Sequence, residues 1–165
     1  MQIMIIKIYV TEGMYMGLLD ALNISASGMS AQQLRMDTIS QNVANVNTTR
    51  DADGNIYRRK TVVFAEKGQN NFQTMLSRSQ ASRATEFNGN GVKVTAIVED
   101  HVTALKKVYD PSHPDADEDG YVTHPNVDTV TEMTNLIDAS RSYEANVTAF
   151  NATKNMLLKG LEVGK

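Results

Sequence analysis

The stretch LLDALNISASGMSAQQLRMDTISQNVANV, residues 18–46, decides the fold of this chain. Its apolar side chains recur at every seventh position, at Leu22, Met29, Met36 and Val43. This spacing places them along one stripe of a helix, as at the seam of a coiled coil or a helical bundle. The pattern predicts a helix from about Leu18 to Val46, which ends where short polar side chains compete for the backbone.

A second stripe lies near the C-terminus, where apolar residues step by three and four: Met133, Leu136, Tyr143, Val147, Phe150, Leu157 and Leu161. Pro125 precedes this stripe and marks a break before the helix. Lysines near the end of the stripe are favourable beside the negative C-terminal pole of a helix. The pattern predicts a helix from about Asp128 to Leu161. Two such stripes indicate that the chain ends pair with each other or with neighbouring chains.

The residues between the two stripes follow the period of β-strands. Strands are predicted at Ile56–Phe64, Val92–Val98, within Ala104–Tyr109 and at Tyr121–Thr123, with turns at residues 51–55 and 89–91. The predicted fold class is therefore α+β, in which long terminal helices pair as a coiled-coil-like stalk and a small irregular β body is inserted between them. The predicted divisions are an N-terminal extension upstream of a start at Met16 (1–15), a helix (16–49), a β-rich domain with a mobile loop near 67–87 (50–126), and a helix (127–165).

Composition narrows the function classes. The 165 residues include nine Met, no Trp and 6% aromatics, which predicts an adaptable and lightly anchored core. The net charge of -3, without a block of like charge, argues against nucleic acid and anionic membranes as partners. Cysteine is absent from the sequence, which excludes disulfides and thiolate zinc sites.

One acidic segment resembles part of a calcium loop. Residues 115–120 match the first six positions of an EF-hand loop, but the twelfth position, which needs a bidentate Glu, is Asn126. Pro111 and Pro114 also prevent a helix from entering the loop. The sequence favours a solvated acidic turn over a calcium site.

Catalytic motifs are not apparent. The histidines, His101, His113 and His124, are spaced neither as a helical metal pair nor beside a matched carboxylate cluster. The sequence has no nucleophile elbow and no phosphate-binding glycine loop. It predicts a protein that is not an enzyme, with no cofactor, no metal and no small-molecule substrate.

Two polar groups allow more than one interpretation. Asparagines crowd the end of the first helix and run along the second, and spacing alone leaves open whether they fix the register of a seam or face solvent. The basic triplet at residues 58–60 lies in a predicted strand. It favours a polar rim or an interface ion pair over a nucleic-acid patch.

The helical segments resemble the terminal signatures of the bacterial flagellar rod and hook axial protein family. The residues concerned are SGMSAQ (27–32) and NVANVNT (42–48) in the first segment, and EM (132–133), LI (136–137) and ASRSYEAN (139–146) in the second. Three further stretches resemble the proximal rod members of this family: YRRK (57–60), GVKV (91–94), and YDP (109–111) with GYVTHPNV (120–127).

This resemblance implies a structural subunit that passes unfolded through the flagellar type III export apparatus without signal cleavage. It then polymerises into the torque-transmitting rod outside the cytoplasm. The implied partners are further copies of the chain, neighbouring rod proteins and other hook-basal body components. The expected assembly interface comprises Leu22, Gly28, Met29, Met36, Asn42, Ala44, Asn45, Asn47, Thr48, Met133, Leu136, Arg141, Tyr143, Asn146, Val147, Phe150 and Leu157.

Two other functions remain open from the sequence. One is a soluble helical adaptor or chaperone-like interaction protein, and the other is a calcium-binding module built on residues 115–120. Matching signatures at both chain ends favour the axial subunit, because an adaptor has no need of them.

Overall fold

The computed structural model describes residues 2–50, 54–68 and 90–163, and the side chains within those ranges from residue 17 to residue 162. Among these residues, six elements follow in chain order: α1 (Gln2–Ala44), β1 (Lys60–Glu66), β2 (Val92–Glu99), β3 (Lys106–Tyr109), β4 (Tyr121–His124) and α2 (Thr129–Val163). The α+β fold class is confirmed, with a long helix at each end and short strands between them. The predicted mobile loop lies outside the described residues, apart from Lys67 and Gly68.

Helix α1 is longer than the apolar stripe predicted. It begins at Gln2 and ends at Ala44, whereas the stripe indicated a helix from about Leu18 to Val46. Extending an existing helix adds one hydrogen bond for each residue fixed, so a helix can run past the stripe that identified it. At the other end, the chain leaves the helix in a turn in which the Thr48 N–H donates to the Asn45 carbonyl at 3.1 Å.

Helix α2 begins next to a capping residue. The Asp128 carboxylate accepts bonds from the Thr131 N–H at 3.1 Å and the Thr131 hydroxyl at 2.6 Å. Both bonds favour the charged form and lower the pKa of Asp128. The side-chain oxygen thus satisfies one of the backbone donors that every helix leaves free at its N-terminus.

The strands form two separate two-stranded sheets, β1 with β2 and β3 with β4. Strands β3 and β4 are antiparallel, with Lys106 opposite His124 and Tyr109 opposite Tyr121. The Tyr109 and Tyr121 rings meet edge to face, with centroids 5.3 Å apart. Gly120 turns the chain into β4 with a φ of 78°, in the left-handed region that glycine adopts at little cost.

The contacts divide the described chain into two compact units. Unit 1 takes residues 2–31, 64–68, 90–93 and 143–163, and unit 2 takes residues 32–50, 54–63 and 94–142. Among the described residues, the buried apolar side chains of unit 2 are Ile39, Val122, Val127 and Ala139, and unit 1 has Ala31. Few large apolar side chains of the described residues are therefore fully buried in either unit.

Within the described residues, neither helix is both long enough and apolar enough to cross a bilayer.

Candidate functional site

Asn42 is the centre of a buried polar cluster in unit 2. Its side chain is completely shielded from solvent, with 0% exposure. Its Nδ2 donates to the Lys60 carbonyl at 2.8 Å and to Glu132 Oε2 at 2.9 Å. Its Oδ1 accepts from the Lys60 N–H at 2.9 Å and from the Tyr57 hydroxyl at 3.0 Å. Both donors and both acceptor positions of the carboxamide are thereby used.

The geometry of this amide explains why asparagine stands at position 42. The side chain bonds both the N–H and the C=O of Lys60, as the backbone of a neighbouring strand would. It therefore fixes the first residue of β1 to helix α1. An aspartate would offer two acceptors and no donor, and an alanine would leave every partner unbonded.

Glu132 is the charged member of the cluster. Its carboxylate is fully buried and accepts from Asn42 through Oε2. Its Oε1 accepts from Arg59 Nε and Nη2, both at 2.8 Å. A buried carboxylate is tolerated only where a cation and hydrogen bonds compensate it, and Arg59 with Asn42 supplies both. The cluster thus joins α1, α2 and the residues at the start of β1.

Asn126 is a second buried asparagine that bonds to the backbone next to Lys60. Its Oδ1 accepts the Arg59 N–H at 2.9 Å, and its Nδ2 donates to the Asp100 carbonyl at 3.0 Å and the Thr103 carbonyl at 3.3 Å. The Asp100 N–H in turn donates to the Arg59 carbonyl at 2.8 Å. Two buried asparagines therefore position the backbone of residues 59 and 60.

The environment of Tyr57 also bears on this cluster. Burial, followed by the charges of Glu99 and Glu132, raises the pKa of Tyr57 above its ordinary value of 10.0. Lys60 Nζ lies 5.5 Å from the centre of the Tyr57 ring and 3.9 Å from Glu99 Oε1. Tyr57 is thus kept as a neutral hydroxyl that donates to Asn42.

Unit 1 brings α1 and α2 together at Gly28. A Cβ at this position would lie 2.8 Å from Asn146 Oδ1, so a larger residue here would force the Asn146 side chain to move. Nearby, Ser27 Oγ accepts the Val92 N–H at 3.1 Å and attaches the start of β2 to α1. Gly91, with a φ of 87°, faces Ser27 where a Cβ would collide with the Ser27 hydroxyl.

The apolar residues of the expected interface are not the buried ones. Along the helices, buried side chains are small or polar: Ser25, Ala31, Thr38, Asn42, Glu132, Ala139 and Thr153, with Ile39 the largest apolar one. The half-buried residues from the expected interface are Leu22, Met29, Met36, Leu136, Tyr143, Val147, Phe150 and Leu157. Met133 is 54% exposed, and its neighbour on the next turn, Ile137, is 53% exposed.

The remaining residues of the expected interface, most of them polar, lie in different environments. Asn42 is buried, and Gly28 and Asn146 contact each other. Asn45 and Thr48 form a local turn, in which Asn45 Nδ2 donates to the Gln41 carbonyl at 2.8 Å and the Thr48 hydroxyl donates to Asn45 Oδ1 at 3.2 Å. The exposed members are Ala44, Asn47 and Arg141.

The acidic segment at residues 115–120 forms a turn whose first carboxylates have partners in the chain. Asp115 accepts from the Thr49 hydroxyl at 2.6 Å and lies 3.5 Å from Arg50. Asp117 accepts the Tyr121 N–H at 2.8 Å. In the described part of the chain, no group of three or more histidine or acidic side chains is arranged to hold a metal ion. Asp115 and Asp117 are thus bonded to other groups of the same chain.

Sequence reasoning missed three partners of Asn42, namely Tyr57, Lys60 and Glu132. It interpreted the basic triplet as a rim or interface group, whereas Arg59 forms an ion pair within the chain. The only signal was that these residues fall within the quoted family motifs. Spacing could not reveal that the motifs meet.

Fully bonded buried amides, a thin core and apolar helix faces left open to solvent are features of a subunit built for assembly. Two family models match the chain, "Flagella basal body rod protein" at residues 22–50 and "Flagellar basal body rod FlgEFG protein C-terminal" at residues 118–163. These matches cover α1 from Leu22 onward, the turn at Asn45 and Thr48, β4 and α2, and they place the chain among flagellar rod proteins.

Curated relatives show which family of rod proteins the chain resembles. The chain is 49% identical to the flagellar basal-body rod protein FlgC of Bacillus subtilis, over 88% of this chain and 97% of the relative. It is 41% identical to FlgC of Borreliella burgdorferi, over 90% and 98%, and 39% identical to FlgC of Salmonella typhimurium, over 91% and 100%. The chain belongs to the FlgC family of flagellar basal-body rod proteins, and it is a structural subunit of the basal-body rod.

Proposed function

We propose that the chain polymerises through its terminal helices, with copies of itself and with neighbouring rod proteins, to form part of the torque-transmitting drive shaft. The observation that carries this proposal is the distribution of side chains on α2. Glu132 and Ala139 are fully buried, whereas Val130, Met133 and Ile137 are each more than half exposed. Exposed apolar surface of this kind marks a protein interaction site when it is grouped on one element.

Family membership and the composition of the core support an extracytoplasmic location reached by export. A thin core with few large buried apolar side chains contributes little hydrophobic free energy, because that free energy scales with the apolar area buried. Such a chain can be unfolded at low cost for passage through the flagellar type III export apparatus and ordered again by its neighbours. On this proposal the protein has no catalytic activity and acts through its contacts alone.

The adaptor function is the weaker candidate. An adaptor needs one docking surface, whereas here exposed apolar residues lie on both helices: Leu19 and Ile24 on α1, and Met133, Ile137, Met156, Leu158 and Leu161 on α2. Exposed apolar side chains on both terminal helices suit a subunit that contacts its neighbours through both ends of the chain.

The test uses exposed positions, because half-buried ones such as Leu136 and Phe150 also contribute to folding. Met133→Gln combined with Ile137→Gln should leave the melting temperature nearly unchanged, since exposed substitutions typically change stability by less than about 0.5 kcal/mol. The same variant should be lost from purified hook-basal bodies, measured by immunoblot in cells lacking their own copy of the gene. Swimming should be lost with it.

A matched control shifts both substitutions by one residue along α2. Thr134→Gln combined with Asp138→Gln also changes two exposed side chains, and it should assemble normally. Normal incorporation of the Met133 and Ile137 variant would contradict assembly through this face of α2.

A further inference from the structure

Unit 2 contains a small cavity beside the buried polar cluster. Its volume is about 70 Å³, and it lies between α1, β1 and α2. The residues that line it include Arg35, Thr38, Arg59, Lys60 and Asn135. Small-molecule sites measure about 300–1,000 Å³, so this cavity is too small for a metabolite or cofactor. It can accept the head group of one side chain.

The charges around the cavity are not balanced within the chain. Arg59 is neutralised by Glu132 at 2.8 Å, and Lys60 lies 3.9 Å from Glu99. Arg35 has no acidic partner within 4.0 Å in the part of the chain that the structure describes. One positive charge at the cavity is therefore uncompensated.

The hydrogen-bonding groups at the cavity point to the same kind of ligand. Among the described residues, no side-chain hydrogen bond is formed by Arg35 or by Asn135. A guanidinium with planar paired donors and a carboxamide N–H together suit a carboxylate, which accepts at both oxygens. Thr38 does not compete for such a ligand, because its hydroxyl already donates to the Leu34 carbonyl at 2.8 Å.

The exposed acidic turn between β3 and β4 carries matching groups. Glu118 and Asp119 are exposed, and neither carboxylate has a hydrogen bond or an ion pair among the described residues. The turn that carries them is closed by the Gly120 N–H, which donates to the Asp117 carbonyl at 2.9 Å, and by the Asp117 N–H, which donates to the Tyr121 carbonyl at 2.9 Å. Because its own backbone bonds hold this turn, the tip formed by Glu118 and Asp119 keeps both carboxylates exposed and available to a second copy.

We propose that the Arg35 cavity of one copy of this chain receives a carboxylate from the Glu118–Asp119 tip of a second copy. The contact joins two different surfaces, so it is heterologous and can repeat from copy to copy around a ring or a filament. This inference rests on the proposed function, because it assumes that copies of the chain lie side by side in the rod. It adds a specific ionic contact to the apolar contacts of the helices.

Charge reversal tests the contact in cells that lack their own copy of the gene. Arg35→Glu, and separately Glu118→Lys with Asp119→Lys, should each lower the amount of the chain in purified hook-basal bodies about tenfold, as expected when one partner of a desolvated ion pair is lost. Combining all three substitutions should restore incorporation. Lys93→Glu, at an exposed lysine that does not line the cavity, should assemble normally.

The outcomes separate this inference from the proposed function. If Arg35→Glu assembles as well as the parent chain, the cavity contact is overturned while the rod function stands. If both single reversals fail and their combination does not recover, the occupant is not a second copy, and the proposal is again overturned. If the parent chain itself is missing from hook-basal bodies, the proposed function fails first.

A disulfide test remains informative even if the charge-reversed chains fold poorly. The natural sequence contains no cysteine, so introduced thiols are the only ones in the chain. Asn135→Cys combined with Glu118→Cys should give covalent multimers of the chain in oxidised hook-basal bodies. Lys93→Cys combined with Glu118→Cys is the control and should give none. Absence of multimers from the first pair would overturn the proposal.

Discussion

Glu132 and Met133 are neighbours on helix α2, and their environments reverse the usual pattern. The charged residue is completely buried, whereas the apolar residue is 54% exposed. Glu132 is bonded to Asn42 and Arg59 in the same chain. Met133 lies one turn from Ile137, which is equally open to solvent.

This difference separates two tasks within one helix. The buried face uses hydrogen bonds, which need exact partners and so specify one arrangement of α1, β1 and α2. The exposed face keeps side chains that gain free energy from burial against any complementary apolar surface. Specific intrachain contacts therefore leave the apolar area available for neighbouring subunits.

Truncating Glu132 and Met133 in turn tests whether the buried and exposed faces of α2 have these different roles. Glu132→Ala should lower the free energy of unfolding by about 3 kcal/mol, because it leaves the Arg59 guanidinium and one Asn42 N–H without their partner. The value lies at the low end of the range for buried pairs, since the Arg59 side chain is 28% exposed to water. Urea denaturation followed by circular dichroism measures it.

Met133→Ala is the matched control for that experiment. It should change the free energy of unfolding by less than about 1 kcal/mol, because its side chain is already more than half in water. Equal effects of the two substitutions would show that the charged and apolar faces contribute alike to the monomer, and the comparison would fail.

Much of the fold followed from the sequence. Both helices and the four strands of the described residues appear in the predicted order, because each element carries a local pattern in its own residues. The first strand was predicted from Ile56, but β1 begins at Lys60, because the backbone of residue 59 bonds to Asn126 and Asp100 outside a sheet. The start of α1 could not be predicted, since a helix extends at low cost through residues without a stripe.

The polar cluster could not be predicted for a different reason. Asn42 was singled out, but spacing left open whether its amide served a helical seam or faced solvent. Its partners come from residues 57, 60 and 132, so the cluster depends on contacts between distant segments that no local period encodes. The amide does fix an arrangement, and it does so between a helix and a strand as well as between helices.

A second substitution tests the Asn42 amide while keeping the shape of the buried cluster. Asn42→Asp retains the size of the side chain but replaces the two donors with an acceptor that faces Glu132 and the Lys60 carbonyl. Two carboxylates cannot both stay charged at this distance, so the new carboxyl must take up a proton and donate it to Glu132, which leaves the Lys60 carbonyl without a donor. The change should therefore cost at least about 2 kcal/mol of unfolding free energy, the range for leaving a buried hydrogen-bonding group unsatisfied. The same change at the exposed Asn151 should be nearly neutral, and similar losses at both positions would refute a specific role for the Asn42 amide.

The smallest effect concerns Tyr57, which donates a single bond to Asn42 at 3.0 Å. Tyr57→Phe should lower the free energy of unfolding by about 1 kcal/mol near neutral pH, the usual contribution of one hydrogen bond.

The raised pKa of Tyr57 also makes this contribution depend on pH, in a direction that can be stated. The folded state favours the protonated phenol, so this contribution is fully present below pH 10.0 and is lost as the pH rises from there through the folded-state pKa. The parent chain should therefore lose stability in that window faster than the Phe variant, and the difference between them should shrink. Subtracting the two urea curves at each pH removes the titration of other groups, and a difference that stays constant above pH 10.0 would place the Tyr57 hydroxyl in solvent instead of against the buried amide.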